Sequence, residues 1–200
     1  MDRAHALLSC AAAAALLTGC LGPGTTRPTR LFVLNATAAP PVSTAETTDL
    51  RLGVGRISLP ELLNRPQIVT RTGANEVLMA NFSQWAEPLE RSIPSVLSEN
   101  LARLIGTDRV SVYPWPTPMA IDLKVEIAVI RFEGNSDGVV SLVARWRLVR
   151  ASGSEARPLQ TSSYAESAAS GSTEALVAAM SRALASLSRD IASAIAIASP

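Results

Sequence analysis

The chain has almost none of the side chains that commonly carry catalysis or bind metal. Its 200 residues contain one histidine, His5, two cysteines, Cys10 and Cys20, and a single lysine, Lys124. Aromatic residues are scarce, with three Trp, two Tyr and three Phe. Neither sign of charge dominates, at 18 Lys and Arg against 17 Asp and Glu, so there is no electrostatic footprint for nucleic acid. The N-terminal apolar run Ala6 to Leu17 is too short to cross a bilayer as a mature helix. It follows a basic start at Arg3 and closes on Thr18 and Gly19, the layout of a secretory signal peptide. Residues 1–19 are therefore expected to be removed, and His5 and Cys10 go with them.

The junction "LLTGC", Leu16 to Cys20, resembles a bacterial lipobox, in which the cysteine is acylated and becomes the new N-terminus. The alternative is a plain signal peptide with a chance cysteine. The resemblance implies lipid on Cys20. With Leu21 rather than Asp after it, the resemblance also implies the outer membrane. Several acyl chains make a stable anchor because each buried CH₂ contributes about 0.8 kcal/mol. A mature chain of this kind has no histidine and no free thiol. That excludes a Ser-His-Asp triad, a cysteine nucleophile, a Cys/His zinc site and an internal disulfide. Loss of Asp2 and Arg3 takes the charge from 18 against 17 to 17 against 16. No cofactor and no metal are implied, and no enzymatic activity is expected.

Along the mature chain, residues 20–29 carry the anchor and a Gly/Pro/Thr tether reaching roughly 30 Å at ~3.3 Å per residue. Residues 30–200 are expected to form one domain. "RLFVLNA" (Arg30–Ala36) and "LRLGVGRISLP" (Leu50–Pro60) read as strands separated by an Ala/Pro/Thr loop. "IVTRTGANEVLMA" (Ile68–Ala80) reads as a hairpin turning at Gly73-Ala74-Asn75. Leu89, Ile93, Val96, Leu97, Leu101 and Leu104 recur at helical spacing within Gln84–Thr107, with Pro94 predicting a kink or an irregular start. A short strand Arg109–Pro114 leads into the loop "PWPTP". Three meander strands follow, at Ile121–Gly134, Val139–Ala151 and Arg157–Ala168. The chain closes on an amphipathic helix with the stripe Leu176, Met180, Leu184, Leu187, Ile191 and Ile195, capped by Ser172 or Thr173. The expected fold is α+β, a mostly antiparallel sheet with two amphipathic helices on one face.

Few side chains stand out for function. Glu87 with Glu90, and Glu126 with Glu133, are better explained as solvated surface than as acid–base pairs. Trp115, between two prolines, either contacts a partner or plugs the sheet edge. Pro66 makes a stiff entry to the strand beginning at Gln67, with Arg65 at the corner and Arg71 at the far end. Arg65, Gln67 and Arg71 are expected at a recognition or assembly surface, the alternative being that Arg65 pairs with Glu61.

"LPELLNRPQIVTR", "QWAEPLERSIPSVLSENLARLIG", "VYPW", "VIRFEG" and "LVARWRL", in that order and spacing, resemble the ABC-type transport auxiliary lipoprotein family, the PqiC-like (YmbA-type) lipoproteins. The match is most specific over Leu59, Pro60, Leu63, Arg65, Pro66, Gln67, Ile68, Val69 and Arg71. It continues at Trp85, Pro88, Leu89, Leu97, Asn100 and Leu101. The resemblance implies a non-enzymatic lipoprotein on the periplasmic face of the outer membrane. Its implied partners are an MCE-domain transport protein and that protein's inner-membrane partner, and its implied roles are lipid transport and membrane integrity. Self-association is a further expectation. The alternatives are a module that itself holds an acyl chain between helices and sheet, and a structural envelope lipoprotein.

Overall fold

The computed structural model describes residues 27–39, 49–115 and 120–198. The signal peptide expected at residues 1–19, the acceptor Cys20 and most of the tether lie outside the described residues. In chain order the elements are β1 (Arg30–Phe32), β2 (Leu52–Ser58), a 3-10 turn (Glu61–Leu63), β3 (Gln67–Gly73) and β4 (Glu76–Trp85). Then come α1 (Leu89–Ile105), β5 (Val110–Val112), β6 (Leu123–Asn135), β7 (Val139–Arg150), β8 (Glu155–Ser167) and α2 (Thr173–Ala198).

The long strands form because apolar residues alternate with polar ones at a period of two. In β6, Leu123, Val125, Ile127 and Val129 are buried while Lys124, Glu126 and Ala128 stay half-exposed. In β7, Leu142, Ala144, Trp146 and Leu148 take the same side. All six residues of the expected α2 stripe are buried. The helix begins where Ser172 Oγ accepts the Ala175 N–H at 3.1 Å, an N-cap that satisfies one of the free amides of the first turn. Leu176 packs over Gly134 of β6, where any Cβ would overlap its side chain. α2 lies against β6, β7 and β8, α1 lies against β2 and β5, and the two helices touch each other.

β6 is the spine of the sheet. One edge pairs with β7 along its length, from Leu123↔Arg150 to Gly134↔Val140, and β7 pairs with β8. The other edge is shared between two strands. Leu123–Ala128 pair in parallel with β2, and Gly134 and Asn135 pair in parallel with β3. Between them the register slips at Val129–Arg131, a bulge. Beyond β2 lies β5, and beyond β3 lie β4 and then β1. The sheet thus forks into a β2–β5 arm and a β3–β4–β1 arm. The class is α+β as expected. The long ladders β3–β4, β6–β7 and β7–β8 are antiparallel, while the four shorter pairings are parallel.

The helix within Gln84–Thr107 begins at Leu89. Gln84 and Trp85 belong to β4, where they pair with Leu31 and Phe32. The Trp85 N–H donates to the Pro66 carbonyl at 2.7 Å, and Pro88 then sits just outside α1 with an extended ψ of 136°. Pro94 lies inside α1, which runs on through it to Gly106 in the left-handed conformation. Burial of Ile93, Leu97 and Leu101, each at 0% exposure, holds the helix where propensity alone would interrupt it.

Behind β1, residues 35–38 are stitched to both helices. The Asn35 N–H donates to Ser181 Oγ (3.1 Å) and Thr37 Oγ1 donates to the Ser181 carbonyl (3.3 Å). The Ala38 N–H donates to Oδ1 of fully buried Asn100 (2.9 Å), and Arg103 donates to the Ala36 carbonyl (2.8 Å).

The stripe on α2 carries much of the apolar burial. Leu184→Ala, at a fully buried site, is expected to lower the unfolding free energy by about 2–5 kcal/mol in denaturant titration, against a near-neutral result for exposed Ser193→Ala.

Candidate functional site

The helices cover one face of β2, β5, β6, β7 and β8, and among the described residues the other face of these strands is open. On the open face of the β2–β5 arm, the chain leaves Val112 through Tyr113 and Pro114 to Trp115. The Trp115 ring lies over Gly53, where an added Cβ would come within 3.2 Å of it. A Cβ at Gly55 would approach the Val125 carbonyl to 3.0 Å. Gly53 leaves room for the indole, and Gly55 lets the β6 backbone approach closely, both usual reasons for glycine inside a strand. Tyr113 meets Trp115 edge-on, with ring centroids 5.4 Å apart at 87°. The Arg56 guanidinium covers the Tyr113 ring at 5.3 Å.

These residues wall a groove of about 430 Å³ completed by Lys124, Glu126, Arg145, Arg147 and Leu159. Glu126 is the one carboxylate in the lining. It takes Lys124 Nζ at 2.5 Å and Arg147 Nη2 at 2.7 Å, and Arg147 also reaches Glu155 at 3.3 Å. The hydrogen bonds from Lys124 and then Arg147 hold the Glu126 carboxyl below its ordinary value. Arg56 and Arg145 have no acidic partner among the described residues. The groove therefore carries surplus positive charge beside an apolar wall, which suits an anionic or carboxylate-bearing partner. Among the described residues, no group of His, Cys, Asp and Glu is placed to hold a metal.

The other arm holds the remaining residues expected at the recognition surface. Arg65 does not pair with Glu61. Its Nε donates to the Leu62 carbonyl at 2.7 Å, closing the 3-10 turn, and its Nη1 lies against Met79 Sδ. Gln67 stands opposite Gln84 at the mouth of the hairpin and is half-exposed. Arg71 has a clear part in the fold. Its Nε meets Glu133 Oε1 at 2.5 Å, its Nη1 donates to the Ala74 carbonyl, and Arg131 stands 3.7 Å from the same carboxylate. Glu133 is not the solvated residue the sequence led us to expect. Its side chain is 5% exposed, in a hollow walled by Pro60, Leu63, Arg71 and Val143. Arg71 supplies the charge that this buried carboxylate requires. Trp115 lies in a groove that contains none of Arg65, Gln67 and Arg71, so the fork places the expected residues at two separate sites.

The sequence pattern puts Glu133 on the solvated surface and does not single out Arg56 or Arg145. A signal for the first was present: Val129 and Phe132 are three apart, which breaks the period of two and marks a bulge. Nothing local marks the two arginines, because their unpaired state depends on which acids other strands bring near.

The sequence profile of the ABC-type transport auxiliary lipoprotein component matches residues 32–192. The chain belongs to the ABC-type transport auxiliary lipoprotein family. Among solved structures, protein XCC0632 from Xanthomonas campestris superposes with a TM-score of 0.71 at 18% identity, covering 84% of this chain and 96% of that one. A second crystal structure, of an uncharacterized protein, gives 0.65 at 21% identity over 80% and 99%. These likenesses show that the fold is shared. A search of curated proteins returned no match. Auxiliary lipoproteins of this family are transport components, and no helix among the described residues is long and apolar enough to cross a membrane.

Two tests follow from the charges. Arg71→Ala is expected to destabilise the fold by about 3 kcal/mol, because it leaves Glu133 buried without its nearest cation. The Arg71→Ala/Glu133→Gln double variant should recover much of that loss in the same denaturant titration. The second test concerns acid. Glu126 has a lower pKa folded than unfolded, so the unfolded chain binds more protons as pH falls. Its stabilisation is complete above the unfolded glutamate value of about 4.3 and is lost as pH drops through the lower folded value. Melting temperatures taken from pH 6 downward should decline less steeply below about pH 4.3 in Glu126→Gln than in the parent.

Proposed function

We propose that this protein is a non-enzymatic lipoprotein that docks the periplasmic part of an MCE-type lipid transport assembly at the outer membrane and so supports membrane integrity. In this reading residues 1–19 are removed, Cys20 is acylated, residues 20–29 tether the molecule, and residues 30–200 form one docking domain on the periplasmic face. The observation that carries it is the open-face groove. Trp115 and Tyr113 form a rigid apolar wall, and Arg56 and Arg145 stand beside it without acids of their own chain among the described residues. Aromatic and arginine side chains at one desolvating spot are the usual energetic centre of a protein–protein contact. Among the described residues the groove has no activated nucleophile, since Glu126 is held as an ion pair by Lys124 and Arg147. The space between helices and sheet holds fully buried Leu97, Leu101, Leu148, Leu184 and Leu187, which favours docking over storage of an acyl chain there.

The test is co-purification from membranes. Wild-type protein should retain an MCE-domain protein, Arg56→Glu/Arg145→Glu should lose most of it with an unchanged melting temperature, and Cys20→Ser should leave the outer-membrane fraction. The reading fails if the charge reversal keeps full recovery of the partner, or if no MCE-domain protein accompanies the wild type.

A further inference from the structure

Nine large hydrophobic residues among the described ones are conspicuously exposed, and five of them lie on the β3–β4–β1 arm: Leu31, Val33, Leu78, Met79 and Phe82, at 43–64%. Among the described residues β1 pairs only with Ser83, Gln84 and Trp85 of β4, and Glu76–Phe82 has no strand on its outer edge. Soluble proteins blunt such edges with charge or proline. Here there is no charged residue from Val77 to Ala86, and none from Leu31 to Ala45. Leu31 pairs with Gln84 of β4, two residues along the chain from exposed Phe82. Leu78 and Met79 are adjacent and point to opposite faces.

That two-sided exposure bears on what covers the strand. A second strand added to the edge would satisfy backbone groups but leave both faces bare. A lipid interface covers both faces while headgroup water still reaches the backbone. Chain continuity points the same way. β1 is the first element among the described residues, ten residues from Cys20 to Thr29 precede it, and ~3.3 Å per residue keeps this arm within roughly 30 Å of an anchor. Exposed Arg27 in that approach, and Arg65 beside Met79, offer cations to lipid phosphates at the rim.

We propose that the β1–β4 edge rests in the headgroup layer of the membrane that holds the anchor, with Phe82, Met79, Leu31 and Val33 entering the apolar boundary. The inference rests on the acylated Cys20 of the proposed function. Its test uses the full lipidated protein in vesicles of phosphatidylethanolamine and phosphatidylglycerol. Phe82→Cys is labelled with an environment-sensitive dye, and Thr161→Cys, exposed on β8, serves as control. Val33→Cys gives the same readout should the first variant not fold. The dye at 82 should emit at shorter wavelength and lose most of its iodide quenching, while the dye at 161 remains quenched. Equal quenching at both positions on an acylated chain overturns this inference alone. A mass spectrum showing an unacylated Cys20 overturns both it and the anchor reading. Protection of position 82 in the Cys20→Ser chain without vesicles assigns the edge to a second copy and also overturns the inference.

Discussion

A strand has two edges, and every backbone N–H and C=O along them must find a partner or meet water. β6 uses one edge for β7 and divides the other between β2 and β3. That division needs the bulge at Val129–Arg131, which bends the strand and lets the two parallel neighbours diverge. The rest of the layout follows from it. Before the bulge, β6 presents Lys124 and Glu126 to the groove floored by Gly55. After it, β6 presents Glu133 to Arg71 and Gly134 to the first turn of α2. One irregularity thus separates the charged groove from the hairpin arm.

The two arms use charge differently. Beside the β2–β5 arm, Glu126 of β6 is exposed enough that its ion pairs with Lys124 and Arg147 are screened, and their main effect is to hold side chains in place. On the other arm Glu133 is enclosed, and Arg71 cannot leave it without exposing the full cost of a buried charge. Arg71 is therefore tied to the fold before any partner is considered. Arg56 and Arg145, which have no such obligation, are better placed for recognition.

Elements with a strong local period were readable in the sequence. The α2 stripe, the β6–β7–β8 meander and the β3–β4 hairpin all depend on neighbours close in the chain. The parallel joins were not readable, because β2 meets β6 only after a hairpin, a helix and β5 have intervened. The end of β4 just before α1 is likewise fixed from a distance: the Trp85 N–H is bound to Pro66 and its register to Phe32. The prolines on either side mark Trp115 in the sequence, and the structure adds what makes room for its ring, which is the missing side chain at Gly53. Glu133 was misread because alternation assigns a strand residue to a face and says nothing of a turn from elsewhere that covers it.

The stitching of residues 35–38 has a mechanical side. Three β1 pairs alone would peel apart one after another under a pull from the N-terminus. Behind them, however, hydrogen bonds to Ser181, Asn100 and Arg103 fasten the same segment to both helices at once. A load arriving through Thr29 meets, beyond the β1 pairs, four further hydrogen bonds divided between the two helices. Strain at the leading end of the chain is thereby passed to the helical layer, on the opposite side of the sheet from the aromatic groove.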